Sequence, residues 1–445
     1  MRRLVVAVLC ALLWPTAALA QDSARMDAIA QSYVKSGSFM GAVLVVKDGK
    51  VLLDKGYGFA NLEWQVANTP ESKFRIGSMT KQFTAAAIFL LQERGKLSLN
   101  DPVKKYLEVP PAWDKITIYH LLTHTAGIPN VTALPEFDAH QRNPAKPDEI
   151  IAWFKDKPLE FEPGSKGKYS NSGYIVLGRV IEKASGVSYQ DFLADNIFKP
   201  LGLKDTGYDS NSAVIAHHAS GYQPAKGGFR VADYTDMTVP FAAGALYSTT
   251  HDLVAWDEAL FGGKLLSKAS LEKMTTPFFN NYACGLGVNE VEGHRVISHG
   301  GAIQGFNSFG AYLPADKLAV VVLANVNGPA PDEIAKALVE VGLGKTVELP
   351  SERKAVALDA KSFEVFVGVY QLAPSFSVTI SRDGEHFFAQ GSGQPKVEIF
   401  PSSPHEFFAK VVDATMRFEL DDKGHATTLI LHQNGRDMPG KRVEP

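Results

Sequence analysis

The sequence predicts an α+β fold: one antiparallel sheet flanked by helices with a helical insertion, followed by a small all-β domain. Three observations over its 445 residues carry that expectation. Residues 41–58 read as a hairpin, with Asp48-Gly49 as the turn between β-branched runs. Helix patterns fill the middle of the chain. Strand patterns return at 294–299, 306–313 and 318–325, and short strands with frequent turn signals run on from Phe366. The simplest closure of the first part is a single sheet made from both of its ends, with the helices inserted between them. The second part is expected to be barrel-like or sheet-like.

In chain order, residues 1–20 read as a secretory signal peptide. Arg2-Arg3 is a basic start, Leu4 to Trp14 is apolar, and Ala18-Leu19-Ala20 gives a small-x-small cleavage pattern. The apolar run is too short to span a bilayer as an ordinary helix. No later stretch comes near 18 apolar residues, so no stable membrane insertion is expected of the mature chain. The expected location is secreted or periplasmic. Hydrophobic residues make up 45% and charged residues 21%, enough for a real core. The chain carries 45 Lys and Arg against 48 Asp and Glu, and losing Arg2 and Arg3 takes the net charge from −3 to −5. Mild acidity argues against nucleic acid as a partner. Cys10 leaves with the signal, so Cys284 has no partner for an intramolecular disulfide, and the reading is a buried small hydrophobe.

Residues 24–36 read as an amphipathic helix, with Met26, Ile29, Tyr33 and Val34 on or near one side. Residues 61–77 are irregular. A helix pattern begins near Ser78 and stops at Gly95, and it is apolar over so much of its surface that burial is expected. A short helix ending at Gly127 contains His120 and His124. Their i, i+4 spacing could suit a metal, but Leu121-Leu122-Thr123 between them lacks the glutamate of a zinc hydrolase, so they read as hydrogen-bonded structural histidines. Residues 129–148, rich in proline, are expected to be a surface loop. Helices follow at 174–186, at 189–197 and at 250–260, the last after the Gly- and Ala-rich stretch from Pro240. Domain boundaries are expected at 21–340, a linker at 341–360, and a C-terminal domain at 361–445.

The candidate chemistry starts at Ser78-Met79-Thr80-Lys81. A helix that begins here puts Ser78 and Lys81 on one face, one turn apart, with the hydroxyl at the positive end of the helix dipole. That suits a nucleophile that must lose a proton and create an oxyanion. Taken alone, the same pattern is an ordinary N-cap with a solvated lysine. Two further polar clusters stand out, Tyr169-Ser170-Asn171 and His299-Gly300-Gly301.

In order, spacing and context these three clusters resemble the serine β-lactamase and penicillin-binding-protein superfamily, in its class C-like branch of D-aminopeptidases, DD-carboxypeptidases and esterases. Leu121-Leu-Thr-His-Thr-Ala-Gly-Ile128 also looks like that family, and the resemblance covers roughly residues 25–340. It implies a β-lactamase-like fold and an acyl-enzyme on Ser78. Lys81 and Tyr169 would share the proton transfers. Asn171 would either donate to the substrate or hold Lys81, and the oxyanion would meet the backbone N–H groups of Ser78 and Ala302. Gly300 and Gly301 would let the strand edge approach a substrate, and His299 would help bind it. Neither a metal nor an organic cofactor is implied. Many relatives have lysine then threonine where this chain has His299 and Gly300, which weakens the case for an efficient β-lactamase and favours an esterase, amidase or D-amino-acid peptidase. The partner implied is a small-molecule or short-peptide acyl substrate. The alternative is a β-lactam or cell-wall-fragment binding protein that is acylated but turns over poorly. Lys345-Thr346-Val347 lacks the final glycine of a third motif, and Ile76 and Thr80 stand where an α/β-hydrolase elbow needs glycines. The C-terminal domain resembles the lipocalin-like appendages of some members.

Overall fold

The structure, a computed structural model, describes residues 14–433 and 436–443. Most of the expected signal peptide, residues 1–13, lies outside the described residues; the helix α1 (Trp14–Lys35) includes the amphipathic stretch, with Met26 and Ile29 buried. No helix among the described residues is long and apolar enough to cross a membrane. The chain divides into two compact units, one built mainly from Phe39–Gln223 and Val231–Leu343 and the other mainly from residues 344–443. Two short segments, Asp27–Ser38 and Pro224–Arg230, group with the smaller unit.

The sheet of the larger unit is made from both of its ends. The hairpin strands β1 (Gly41–Lys47) and β2 (Lys50–Tyr57) join β3 (Gly287–Val291), β4 (His294–Ile303), β5 (Phe306–Leu313) and β6 (Leu318–Ala324). Their order is β3-β4-β5-β6-β1-β2 and each pairing is antiparallel, with Val43 opposite Val322 where the two chain ends meet. β1 and β6 are buried along almost their whole length, as central strands covered on both faces must be. α2 (Thr80–Glu93) is buried at every residue from Thr80 to Leu91, as its all-round apolar surface predicts. Phe83 stacks on Trp256 with ring centroids 4.2 Å apart, and the Trp256 indole N–H donates to Gln82 Oε1 at 3.1 Å. The stop at Gly186 also holds: α3 (Asn171–Ser185) ends on Gly186 at φ +81°, a left-handed cap that favours glycine.

Three expectations need adjustment. The helix over 189–197 is α-helical only to Leu193 and then widens to a π-turn over Ala194–Phe198. The short helix at 118 stops at Leu122, where the backbone turns through His124 at φ +57° before Gly127 at φ +74°. The stretch 129–148 is not a plain surface loop: it holds short helical turns, and Val131 is buried.

The smaller unit is a closed eight-stranded antiparallel barrel among the described residues, running from β7 (Gly368–Ala373) to β14 (Arg436–Val443). It closes where Val369 pairs with Val443, which leaves no open sheet edge. Alternation places Val378 and Ile380 inside while Thr379 and Ser381 are more exposed. Phe363 and Phe366, just before β7, belong to the barrel core, and Phe363 stacks on Phe387 at 4.0 Å. We predict that Phe363→Ala destabilises this unit by about 3–5 kcal/mol, the usual cost of emptying an aromatic site in a core. A chemical denaturation curve that resolves the barrel's transition checks it.

Candidate active site

Ser78 sits in a single 3-10 turn, Gly77–Met79, that feeds directly into α2. Several bonds fix this turn. Ile76 N–H donates to Leu246 O at 2.9 Å, and Ser308 Oγ on β5 donates to Ile76 O at 2.8 Å. The serine therefore projects from a braced backbone at the positive end of a buried helix.

Lys81, one turn on, is fully buried. Its Nζ donates to Ser78 Oγ at 2.9 Å, to Asn171 Oδ1 at 2.8 Å and to the Ala243 carbonyl at 2.8 Å. The rings of Tyr169 and Tyr174 wall it in, with centroids 4.8 and 5.5 Å from Nζ. Among the described residues no carboxylate pairs with it. Three neutral acceptors satisfy the amine's geometry but do not neutralise a charge, so burial holds its pKa well below the usual lysine range. A depressed lysine can take a proton near neutrality, which an ordinary one cannot.

Tyr169 and Asn171 arrive from the N-terminal end of α3. The Tyr169 hydroxyl lies near Ser78, whose side chain favours the phenolate and so offsets part of the effect of burial on its pKa. The residue as a whole is 40% exposed, yet its hydroxyl end lies among the protein atoms around Ser78, and this burial raises its pKa. Both ends of the Asn171 amide are committed. Oδ1 accepts from Lys81, and Nδ2 donates to Asn130 Oδ1 at 3.3 Å and Thr132 Oγ1 at 3.2 Å. Of the two roles the sequence leaves open for Asn171, holding Lys81 is the one this arrangement satisfies.

The third cluster lies on β4. Its outer neighbour β3 pairs only with residues 294–298, so from His299 onward no strand covers that edge, and the Ser78 turn sits there instead. The approach is close. A Cβ on Gly77 would lie 2.9 Å from Ala302 N, and one on Gly301 would lie 2.0 Å from Ile76 O and 2.4 Å from Ser308 Oγ. Gly300 has room by comparison, with 3.4 Å to the Phe309 ring. Close backbone approach is the reason for glycine at 77 and 301. The His299 side chain turns inward. Its Nδ1 lies 2.6 Å from Gly300 O, which can only accept, so Nδ1 carries the proton and Nε2 accepts from the Tyr282 hydroxyl at 3.0 Å. Both ring nitrogens thus have partners within the protein. Burial chiefly, helped by any positive charge on Lys81, lowers its pKa to about 4. His124 is buried and neutral for the same reasons, and its Nδ1 accepts from Ser170 N–H at 3.2 Å.

A cavity of about 400 Å³ opens beside these groups. Of the sequence-predicted site residues, Ser78, Asn171 and Ala302 line it. Sequence reasoning missed several contributors. Val131, Phe137 and Gln141 from the proline-rich stretch form one wall, and the Ala243 carbonyl holds Lys81. The only signal for the latter was the density of glycine and alanine after Pro240. Phe241 takes φ +42° there, a strained value for a bulky residue that turns the following carbonyls toward α2. The other candidates stay structural. His120 completes a capping box with Thr117, and burial pushes the Cys284 thiol up to about 12.

Residues 26–343 match the family model of the β-lactamases, and residues 352–442 match a domain of unknown function (DUF3471). The chain is 30% identical over 434 residues to penicillin-binding protein 4* of Bacillus subtilis, covering 91% of this chain and 95% of that one. Among solved structures, an octameric penicillin-binding protein homologue from Pyrococcus abyssi superposes with a TM-score of 0.67 at 27% identity, over 94% of this chain and 99% of that one. A D-stereospecific amidohydrolase from a Streptomyces species gives 0.61 at 26% identity, over 72% and 98%.

Two predictions follow from the packing. Gly301→Ala drives a methyl group into Ile76 O and displaces the Ser78 turn. Any Ser78-dependent hydrolysis should fall by about 100-fold, the scale of a misplaced reacting group, while Gly300→Ala costs far less. Steady-state kinetics on the two variants checks this. The second concerns acid stability. His299 titrates near 4 folded and at about 6.5 unfolded, so its depressed folded value contributes stability above pH 6.5 that is lost as pH falls toward 4. Urea midpoints measured between pH 7 and pH 5 should drop, and His299→Gln should flatten that slope.

Proposed function

The chain belongs to the β-lactamase family, and from that premise we propose that it is an exported serine hydrolase that works through a Ser78 acyl-enzyme on an ester, amide or D-amino-acid peptide. The observation that carries the reading is the Lys81 amine, buried without a carboxylate partner and 2.9 Å from Ser78 Oγ. Ser78 Oγ attacks the acyl carbon as its proton passes to the Lys81–Tyr169 pair. The oxyanion is met by the backbone N–H groups of Ser78 and Ala302. Collapse breaks the bond to the leaving group, which takes the proton from the same pair. Water then attacks the acyl-enzyme, losing its proton to that pair, and as the acyl–Oγ bond breaks the pair returns this proton to Ser78 Oγ, which releases the acid and restores the resting site. Amidohydrolase chemistry in a structural relative and penicillin binding in a curated one are consistent with this sequence of steps. The expected site of action is the periplasm or the exterior, after removal of residues 1–20.

The test is hydrolysis of a p-nitrophenyl ester. Ser78→Ala should reduce it to background, and Lys81→Arg, which cannot shed its charge, should be nearly as inactive. In the wild type, kcat/KM should fall on the acid side as Lys81 becomes protonated, at a pH well below the usual lysine range, because burial depresses its pKa. Hydrolysis unaffected by Ser78→Ala would contradict the proposal. A β-lactam adduct that persists for hours in intact-mass spectra would point instead to a binding or sensing protein.

A further inference from the structure

The loop that carries Tyr169 has no regular structure of its own. Residues 166–170 belong to no helix or strand, so Tyr169 owes its place to what the loop is bonded to. The loop is laid along the chain from His124 to Asn130. Gly164 N–H donates to Thr125 O at 2.8 Å, Ser170 Oγ to Ile128 O at 3.2 Å, and Asn171 N–H to Asn130 Oδ1 at 3.0 Å. Two further bonds meet on one residue. Lys168 N–H donates to His124 O at 2.9 Å, and Ser170 N–H donates to His124 Nδ1 at 3.2 Å. The residues on either side of Tyr169 are thus both held by His124, one by its backbone and one by its side chain.

Stability alone would not select histidine at this position. Its backbone sits at φ +57°, a left-handed conformation that most residues other than glycine resist. Because Nδ1 accepts from Ser170, the neutral ring carries its proton on Nε2, and that N–H is buried with no hydrogen-bond partner among the described residues. The rings of Tyr169, Tyr174 and Tyr282 surround the imidazole, with centroids 4.3, 5.2 and 4.6 Å from its own. An apolar side chain would fill this space without leaving a buried donor unsatisfied, which is unfavourable. What an apolar side chain could not do is accept from Ser170 while the carbonyl of the same residue takes Lys168.

We infer that His124 is the positioning residue for Tyr169: its carbonyl oxygen and its Nδ1 clamp the backbone on both sides of the tyrosine and so hold the phenol beside Ser78. The inference rests on the reading that Tyr169 shares the proton transfers of Ser78 acylation with Lys81. His124 is not among the residues that line the cavity, and it acts through the tyrosine. Two substitutions separate the clamp from simple packing. In His124→Asn the side-chain oxygen stands as many bonds from Cα as the imidazole Nδ1, it accepts, and asparagine tolerates a left-handed backbone. His124→Leu keeps more of the ring's bulk but has no acceptor.

The experiment measures kcat/KM for p-nitrophenyl acetate on His124→Asn and His124→Leu, each with Tyr169 present and with Tyr169→Phe. With Tyr169 present, His124→Asn should exceed His124→Leu by about 10-fold or more, the scale on which misplacing a reacting group lowers a rate. In the Tyr169→Phe background the gap should close to within about twofold, because a clamp with no hydroxyl to aim has nothing left to contribute. A difference in folded fraction would persist in that background, so the closing of the gap separates positioning from stability. A His124→Leu variant as active as His124→Asn, or a gap that survives Tyr169→Phe, overturns the inference while leaving the acyl-enzyme reading intact, provided hydrolysis still depends on Ser78. Should Tyr169→Phe leave too little hydrolysis to compare, amide hydrogen exchange decides. Relative to the buried amides of α2, Ser170 N–H should exchange about 10-fold faster or more in His124→Leu than in His124→Asn, and equal rates overturn the inference. If hydrolysis is indifferent to Ser78→Ala or to Tyr169→Phe, the reading beneath the inference falls and the inference falls with it.

Discussion

A lysine amine buried without a counter-charge is the constraint from which the rest of the site follows. A buried ammonium lacking a carboxylate is costly, and the group meets that cost by giving up its proton. Every neighbour of Lys81 Nζ fits this solution. Once neutral, the amine donates to the Asn171 amide oxygen and the Ala243 carbonyl and accepts from the Ser78 hydroxyl, the walls are tyrosine rings, and the nearby His124 and His299 are held neutral by burial. A single aspartate in this shell would fix the charge on the lysine and remove its usefulness as a base. The neutrality extends into the cavity beside Ser78, which among the described residues is lined by amides and hydroxyls and by no Asp, Glu, Lys or Arg.

The backbone around that amine is arranged at some conformational expense. Gly77 at φ +50° and Gly301 allow the Ser78 turn and the β4 edge to touch at backbone distance. Phe241 and His124 hold positive φ values that bulky side chains ordinarily avoid, one beside the Ala243 carbonyl and the other beneath Tyr169 with ring centroids 4.3 Å apart. Strained residues of this kind persist where surrounding packing over-determines them, and here both lie within the shell of Lys81. The sheet contributes by stopping short: because β3 ends its pairing at Ser298, the edge that follows is left for the nucleophile turn.

Much of this was legible in the sequence, for physical reasons. The hairpin at Asp48-Gly49, the buried helix after Ser78 and the cap at Gly186 are local signals, and each appears where its pattern predicts. The three polar clusters were legible because their spacing on predicted elements resembles a known family. What was not legible depends on tertiary placement. Nothing near Ala243 announces that its carbonyl will hold a lysine 162 residues away in sequence. The stretch 129–148 has the composition of a surface loop, but its few apolar residues find a wall to pack against. The Tyr282 hydroxyl that meets the His299 ring, 17 residues away in sequence, is likewise invisible to any local pattern.

The charge state of Lys81 is therefore the central claim, and it can be measured without an assay of activity. With lysines labelled at Cε, and Lys81 assigned by its disappearance in Lys81→Arg, an NMR titration reads the protonation of each amine. The Lys81 resonance should titrate well below the value of about 10.4 at which exposed lysines titrate. A Lys81 that stays protonated until it titrates with the surface lysines would contradict it.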